Sequence, residues 1–169
     1  RRLRKCKLEA NRDKTKIVYC KRNQKKHPPF EVKYRSFDFL GFTFKTRRAR
    51  AKWGHLQLVF TPSMGRKPIK RVGEQLRKLK VSRRVHTSLR EIAEILNPKI
   101  RGWINYYRHF NKTGLKRAMR MVNLRLIKWV INKYRRFRHK PRKLAWNWLR
   151  DVCKQTPNLF PHWQHGFQP

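Results

Sequence analysis

Acid is what this sequence lacks most. Eight Asp and Glu residues stand against 47 Lys and Arg, a formal charge of +39. Such a chain repels itself unless a polyanion neutralises it. Long apolar runs are missing too. None approaches the roughly 18 residues a membrane-spanning helix needs, and no isolated amphipathic anchor stands out, so no membrane partner is expected. Cysteine is scarce: Cys6, Cys20 and Cys153 are odd in number and widely spaced, which points to reduced thiols in an intracellular compartment. The chain opens RRLRK with no apolar core behind it, so no signal peptide is read, and opening on Arg suggests a fragment or a processed chain. There is no Walker loop, no dinucleotide fingerprint, no Ser-His-Asp order and no internal repeat. His162-x-x-His165 with Cys153 looks loosely metal-like. Zinc usually takes four ligands and no further Cys or His pair lies near, so no metal site is assigned.

What is present is basic and aromatic. At 169 residues the chain can form one or two small domains with a modest core. Its 38% hydrophobic and 12% aromatic content is too high for a disordered basic tail. A folded, basic, aromatic-rich chain points to nucleic acid.

Taken in order, residues 1–13 read as the end of a helix running into a turn at Asn11 and Asp13. Lys16–Cys20 is a short β-branched and aromatic strand, followed by a basic loop over 21–29. Phe37–Phe44 and Leu56–Phe60 alternate as strands, with the basic loop KTRRARAKWGH between them. A linker around Gly65–Lys67 then separates a β part from a helical part. In Pro68–Leu79 the residues Ile69, Val72, Leu76 and Leu79 form a stripe, with Lys70 and Arg77 outside it. Thr87 or Ser88 caps a helix through Leu96, with Glu91 three residues after Ser88 completing a capping box. Asn111–Gly114 is a turn. Leu115–Tyr134 is a long helix with two apolar strips and a basic start of Lys116, Arg117 and Arg120. Pro141 breaks the run KYRRFRHKPRK, Leu144–Cys153 is a short helix, and the aromatic tail reads as a strap, not a regular element.

The stretch NPKIRGWINYYRHF, residues 97–110, organises the rest. Asn97 then Pro98 reads as a helix start. At helical spacing Ile100, Trp103, Ile104 and Tyr107 share one face, which predicts that Trp103 and Tyr107 are largely buried. Arg101, Asn105 and Arg108 share another. Gly102 and Tyr106 lie on a third, where a missing side chain lets something approach the backbone. By pattern alone this could equally be a core helix with a solvated basic back.

The string LNPKIRGWINYYRHF, preceded by SLREIAEI, resembles the maturase-specific segment of group II intron reverse transcriptases. Two N-terminal strings resemble the same family: LEANRDKTKIVYC matches the segment after the polymerase active site, and FDFLGFTF the primer grip. The resemblance covers about Leu8 to Trp148. It implies an α+β chain: a small antiparallel region ending the polymerase palm over 1–66, a helical thumb and maturase bundle over 67–155, and an aromatic C-terminal strap over 156–169. It sets Lys14 near the incoming nucleotide's phosphates, with Lys16 beside it, and Leu40-Gly41 against the primer. The family's polymerase also needs a paired-aspartate box to hold two metal ions. Asp13, Asp38 and Asp151 stand isolated here, so the chain alone is not expected to polymerise.

Three functions are open to such a chain. The first is an RNA-binding thumb and maturase portion that holds intron RNA in its spliceable fold and clamps a template–primer. The second is the rear half of an active RNA-directed DNA polymerase, its aspartates upstream or on a partner fingers-and-palm chain. The third, a basic ribosomal or chaperone-like RNA protein, predicts neither the RGWINYY string nor the primer-grip string. The first is preferred. Its contacts are expected at Lys14, Lys16, Leu40, Gly41, Arg47, Arg48, Arg50, Lys52, Lys70, Arg77, Arg101, Asn105, Tyr106, Arg108, Lys116, Arg117 and Arg120. No cofactor is expected on the chain; Mg²⁺ belongs to the intact polymerase and to the intron RNA. The place would be a bacterial cytoplasm or an organelle.

Overall fold

A computed structural model of the chain describes residues 5–9, 11, 13, 15–21, 31, 33–50 and 53–169. The fold is α+β, a small three-stranded antiparallel sheet followed by helices. The chain divides into two compact units, Arg1–Pro62 and Ser63–Pro169.

The strands β1 (Ser36–Phe39), β2 (Phe42–Arg50) and β3 (Leu56–Met64) lie in the order β1-β2-β3, the last two residues of β3 belonging to the second unit. Phe37–Phe44 is therefore not one strand. Leu40 and Gly41 interrupt it as a two-residue turn with left-handed φ of 46° and 79°, the handedness that matches strand twist in a tight hairpin. Phe37 then lies opposite Phe44, and their rings stack with centroids 4.7 Å apart. The basic link after Phe44 is also corrected: Lys45 to Arg50 continue β2. Ladder bonds come from the backbone, so a strand persists where TRRAR offers no apolar alternation. Lys16–Cys20 forms no strand, although Tyr19 N–H donates to Tyr34 O at 3.0 Å. Beyond Lys21 the expected loop at 21–29 lies outside the described residues, as do Lys14 and Lys52.

The second unit begins without a linker. Gly65 is the residue before α1 (Arg66–Lys78), and Arg66 and Lys67 form its first turn. Val72 and Leu76 are buried, and Ile69 and Leu79 pack beside them. In α2 (Leu89–Tyr107), the Ser88 hydroxyl accepts from Glu91 N–H while Glu91 accepts from Ser88 N–H. The Ser88 backbone N–H, and after it the Ser88 side chain, hold the Glu91 carboxyl below its ordinary pKa.

Asn97-Pro98 does not start a helix. It lies inside α2. An interior proline removes one hydrogen bond, at a cost of about 3 kcal/mol, but Pro98 is exposed while Leu96 and Ile100 on either side are fully buried. Asn97 braces the fold instead, its Nδ2 donating to Leu159 O at 3.0 Å.

Asn111 Oδ1 accepts from Thr113 N–H, so α3 (Thr113–Lys133) begins inside the expected turn. Leu115, Ala118, Met119, Val122, Leu126, Trp129 and Val130 are buried as one stripe. The second strip is only partly used: Ile127 is buried, Leu124 exposed. After α4 (Arg142–Gln155), the tail contains a short helix, α5 (Pro161–Gln164), that packs on α2. Phe160, His162, Trp163 and Phe167 are all buried. Asn123 ties the tail to α3, accepting from His162 and Trp163 and donating to Phe167 O.

Candidate nucleic-acid interface

The apolar face of α2 is consumed by the core. Ile100 and Ile104 are 0% and 1% exposed. Trp103 and Tyr107 are half-buried, packed against the core but less covered than their place on the stripe predicts. Burial raises the Tyr107 pKa; Tyr106 adds to the rise, and the charge of Arg71 opposes it. Arg71 on α1 therefore lies within electrostatic reach of the end of α2. Arg71 is not among the contacts expected from the sequence, although it directly follows Lys70 and precedes the buried Val72.

The opposite face is open. Arg101, Asn105 and Arg108 are exposed, and Tyr106 is 49% exposed with its ring edge-on to Tyr107 at 4.7 Å. A Cβ placed on Gly102 would meet nothing within 4 Å. The fold itself makes no use of this glycine's smallness. What the face offers is two guanidiniums, an amide, a tyrosine and a bare stretch of backbone.

The connection from Arg108 to Lys112 is short, so the basic start of α3 follows directly. Lys116, Arg117 and Arg120 are all exposed there. Lys70 and Arg77 are exposed on α1, two helical turns apart. The spacing separates them, Arg77 lying about 10 Å further along the axis. Lys16, Leu40, Gly41, Arg47, Arg48 and Arg50 belong to the other unit. Lys16 Nζ lies 4.8 Å from the centroid of the Tyr34 ring. Leu40 is 67% exposed at the hairpin tip. Arg48 and Arg50 alternate outward on β2, whereas Arg47 is half-buried and donates to Thr43 O at 3.4 Å.

Charge defines what this surface can do. Were every carboxylate paired with a cation, the +39 would remain. Lys154 and Asp151 pair at 3.6 Å, but both are well exposed and one turn apart, a pairing of little energetic weight. Buried hydrophobic faces with guanidinium-rich outer faces suit a polyanion, and an arginine fork fits phosphate oxygens two at a time. His162 has no free role: it is buried against Asn123, and among the described residues no cluster of metal-ligating side chains occurs. Also among the described residues, no helix is long and apolar enough to cross a membrane.

Residues 69–148 match the family model of the group II intron, maturase-specific domain. Comparisons with curated proteins and with solved structures return no match.

Proposed function

Because residues 69–148 are a group II intron maturase-specific domain, we propose that this chain binds group II intron RNA and holds it in the fold that splices. The observation that carries this reading is the split character of α2. Within the matched residues, its Ile100 and Ile104 side is sealed, while Arg101, Asn105, Tyr106 and Arg108 face outward. Compact RNA is densely negative, so folding it needs counter-charge, and exposed aromatic and arginine planes can stack on unpaired bases. The RNA is the catalyst of splicing in this reading; the protein supplies binding and shape. Residues 67–155 would then act as thumb and maturase bundle and 156–169 as its strap.

A second part of the proposal concerns the first unit. Leu40 and Gly41 form an exposed turn with left-handed backbone at both residues, which favours a hairpin tip pressed against a primer terminus, with 1–66 as the end of a polymerase palm. On that view the whole protein is an intron-encoded reverse transcriptase, intracellular, whose fingers and catalytic aspartates lie upstream or on a partner chain. No cofactor is assigned to this chain.

The test is filter binding to intron RNA across a salt series. If six to ten phosphates are neutralised, affinity should fall by roughly 10³–10⁵ between 50 and 200 mM salt. A flat dependence, or equal affinity for unrelated RNA at every salt, rejects the reading. The pure chain should show no primer extension with Mg²⁺ and nucleotides; extension would reject the missing-aspartate argument.

A further inference from the structure

The far end of the helical unit carries a second set of cations, outside the α2 face. The 3-10 turns Val81–Arg83 and Arg135–Phe137 both pack against the end of α3. Asn132 joins them: its Nδ2 donates to Ser82 O at 2.7 Å, and its carbonyl accepts from Arg138 Nη2 at 3.3 Å. One turn before it, Trp129 Nε1 donates to Arg84 O at 2.8 Å, and at the next residue Lys133 Nζ donates to Thr87 O at 2.6 Å. Two loops of unlike sequence are thus fastened to one helix end. Each also holds a side chain in the left-handed region, Lys80 at φ 48° and His139 at φ 59°. Such strain persists only where surrounding contacts over-determine the backbone.

The guanidiniums here are pre-set as well as exposed. Arg84 Nε donates to Leu79 O at 3.2 Å. Arg136 stands 4.8 Å from the centroid of Phe137 and 5.7 Å from that of Tyr134. A flexible cation loses rotamer freedom when it meets an anion, and one already pinned by its own chain loses less. Glu91 faces this end closely enough to feel Lys133, but its carboxylate is committed to the Ser88 box.

We infer that Arg83, Arg84, Arg135, Arg136 and Arg138 form a second RNA-binding surface that takes backbone phosphates, the other half of a two-point grip on one RNA. The inference rests on the RNA-binding reading above. The 21 residues of α3 set its ends about 30 Å apart. The basic ends of α2 and α3 meet at one end, and these loops sit at the other. An RNA stem lying along the unit would touch both, and the second contact would form at high effective concentration.

The experiment compares two variants on two RNA stems at one salt concentration. One variant carries Arg83→Gln, Arg84→Gln, Arg135→Gln and Arg136→Gln, the other Arg101→Gln and Arg108→Gln. One stem is longer than α3, and the other is too short to reach from end to end. On the long stem the loop variant should bind roughly tenfold more weakly or worse. On the short stem its affinity should change by no more than about twofold, while stoichiometry falls from two stems per chain to one. Equal loss on both stems means the arginines act only through total charge, which overturns the second surface. Loss in the α2 variant with none in the loop variant overturns it too, but leaves RNA binding standing. No loss in either variant overturns both. Should the glutamine set fail to fold by circular dichroism, Arg83→Gln with Arg135→Gln is compared on the same two stems. Equal loss on both stems, or no loss on the long one, would overturn the inference.

Discussion

The Nε2–H of His162 donates to Oδ1 of Asn123 at 2.7 Å inside the sealed helical core. The donor is fixed by the neighbour: Trp163 Nε1 can only donate, and it reaches the same oxygen at 3.2 Å. Oδ1 is therefore the acceptor, and His162 is neutral with its proton on Nε2. Its Nδ1 is buried with no hydrogen-bond partner. Burial pushes the imidazole down to about 3.

That depression makes stability depend on pH. Below an ordinary imidazole pKa of about 6.5 the unfolded chain takes up a proton that the folded chain refuses, so stability rises with pH between about 3 and 6.5 and is level above. His162 alone should cost about 1.4 kcal/mol per pH unit in that window, or roughly 2 kcal/mol at pH 5. Urea unfolding at pH 7.5, 6 and 5 measures it. His162→Gln should lose stability at pH 7.5 but show a flatter profile; an unchanged slope would mean other groups set it.

The two faces of α2 should separate by mutation. Ile104→Ala opens a cavity at a 1% exposed position and should cost about 2–5 kcal/mol. Arg101→Gln and Arg108→Gln should stay within about 0.5 kcal/mol of wild type while weakening intron binding. Thermal unfolding beside RNA titration decides this. A stability loss at Arg101 would move it from the RNA face to the scaffold.

Glycine gives a sharper contrast. Gly102→Ala meets no atom within 4 Å, so replacing a helical glycine should stabilise the fold by roughly 0.5–1 kcal/mol, yet reduce RNA affinity if backbone is what the RNA approaches. Gly114→Ala is the opposite case: its Cβ would lie 2.5 Å from the Met64 carbonyl oxygen. Backbone cannot yield there, and melting temperature should fall. Unaltered RNA binding by Gly102→Ala would remove close backbone approach from the account.

On β2 the arginines should divide by side. Arg48→Gln with Arg50→Gln, both exposed, should weaken RNA binding and leave the melting temperature nearly unchanged. Arg47→Gln loses the bond to Thr43 O and should lower it. Equal melting shifts for both variants would show that the outward residues are structural too.

Much of this was legible in the chain. The stripe of α1, the Ser88–Glu91 box and the apolar register of α3 follow from side-chain period and local capping chemistry. Some of the failures were decided by partners distant in sequence. Asn97-Pro98 carries a good local start signal, but burial of Leu96 and Ile100 and a bond to Leu159 overrode it. Arg47 to Arg50 read as loop because strand pairing is a backbone matter that polar side chains conceal. The run KYRRFRHKPRK read only as a stretch broken at Pro141, for nothing local reveals that Asn132 ties Arg138 and Ser82 to one helix end.

The bond from Asn97 to Leu159 has a consequence in time. It links residues 62 apart, and Phe160, Trp163 and Phe167 complete the same core. During synthesis α1, α2 and α3 emerge with one wall of that core still unmade. Domains fold as units, and exposed apolar surface in the interval invites aggregation. A nascent chain stalled before Leu159 would thus present a sticky, strongly cationic helix bundle to the RNA-rich surroundings of the ribosome, and only translation through Phe167 would close that core.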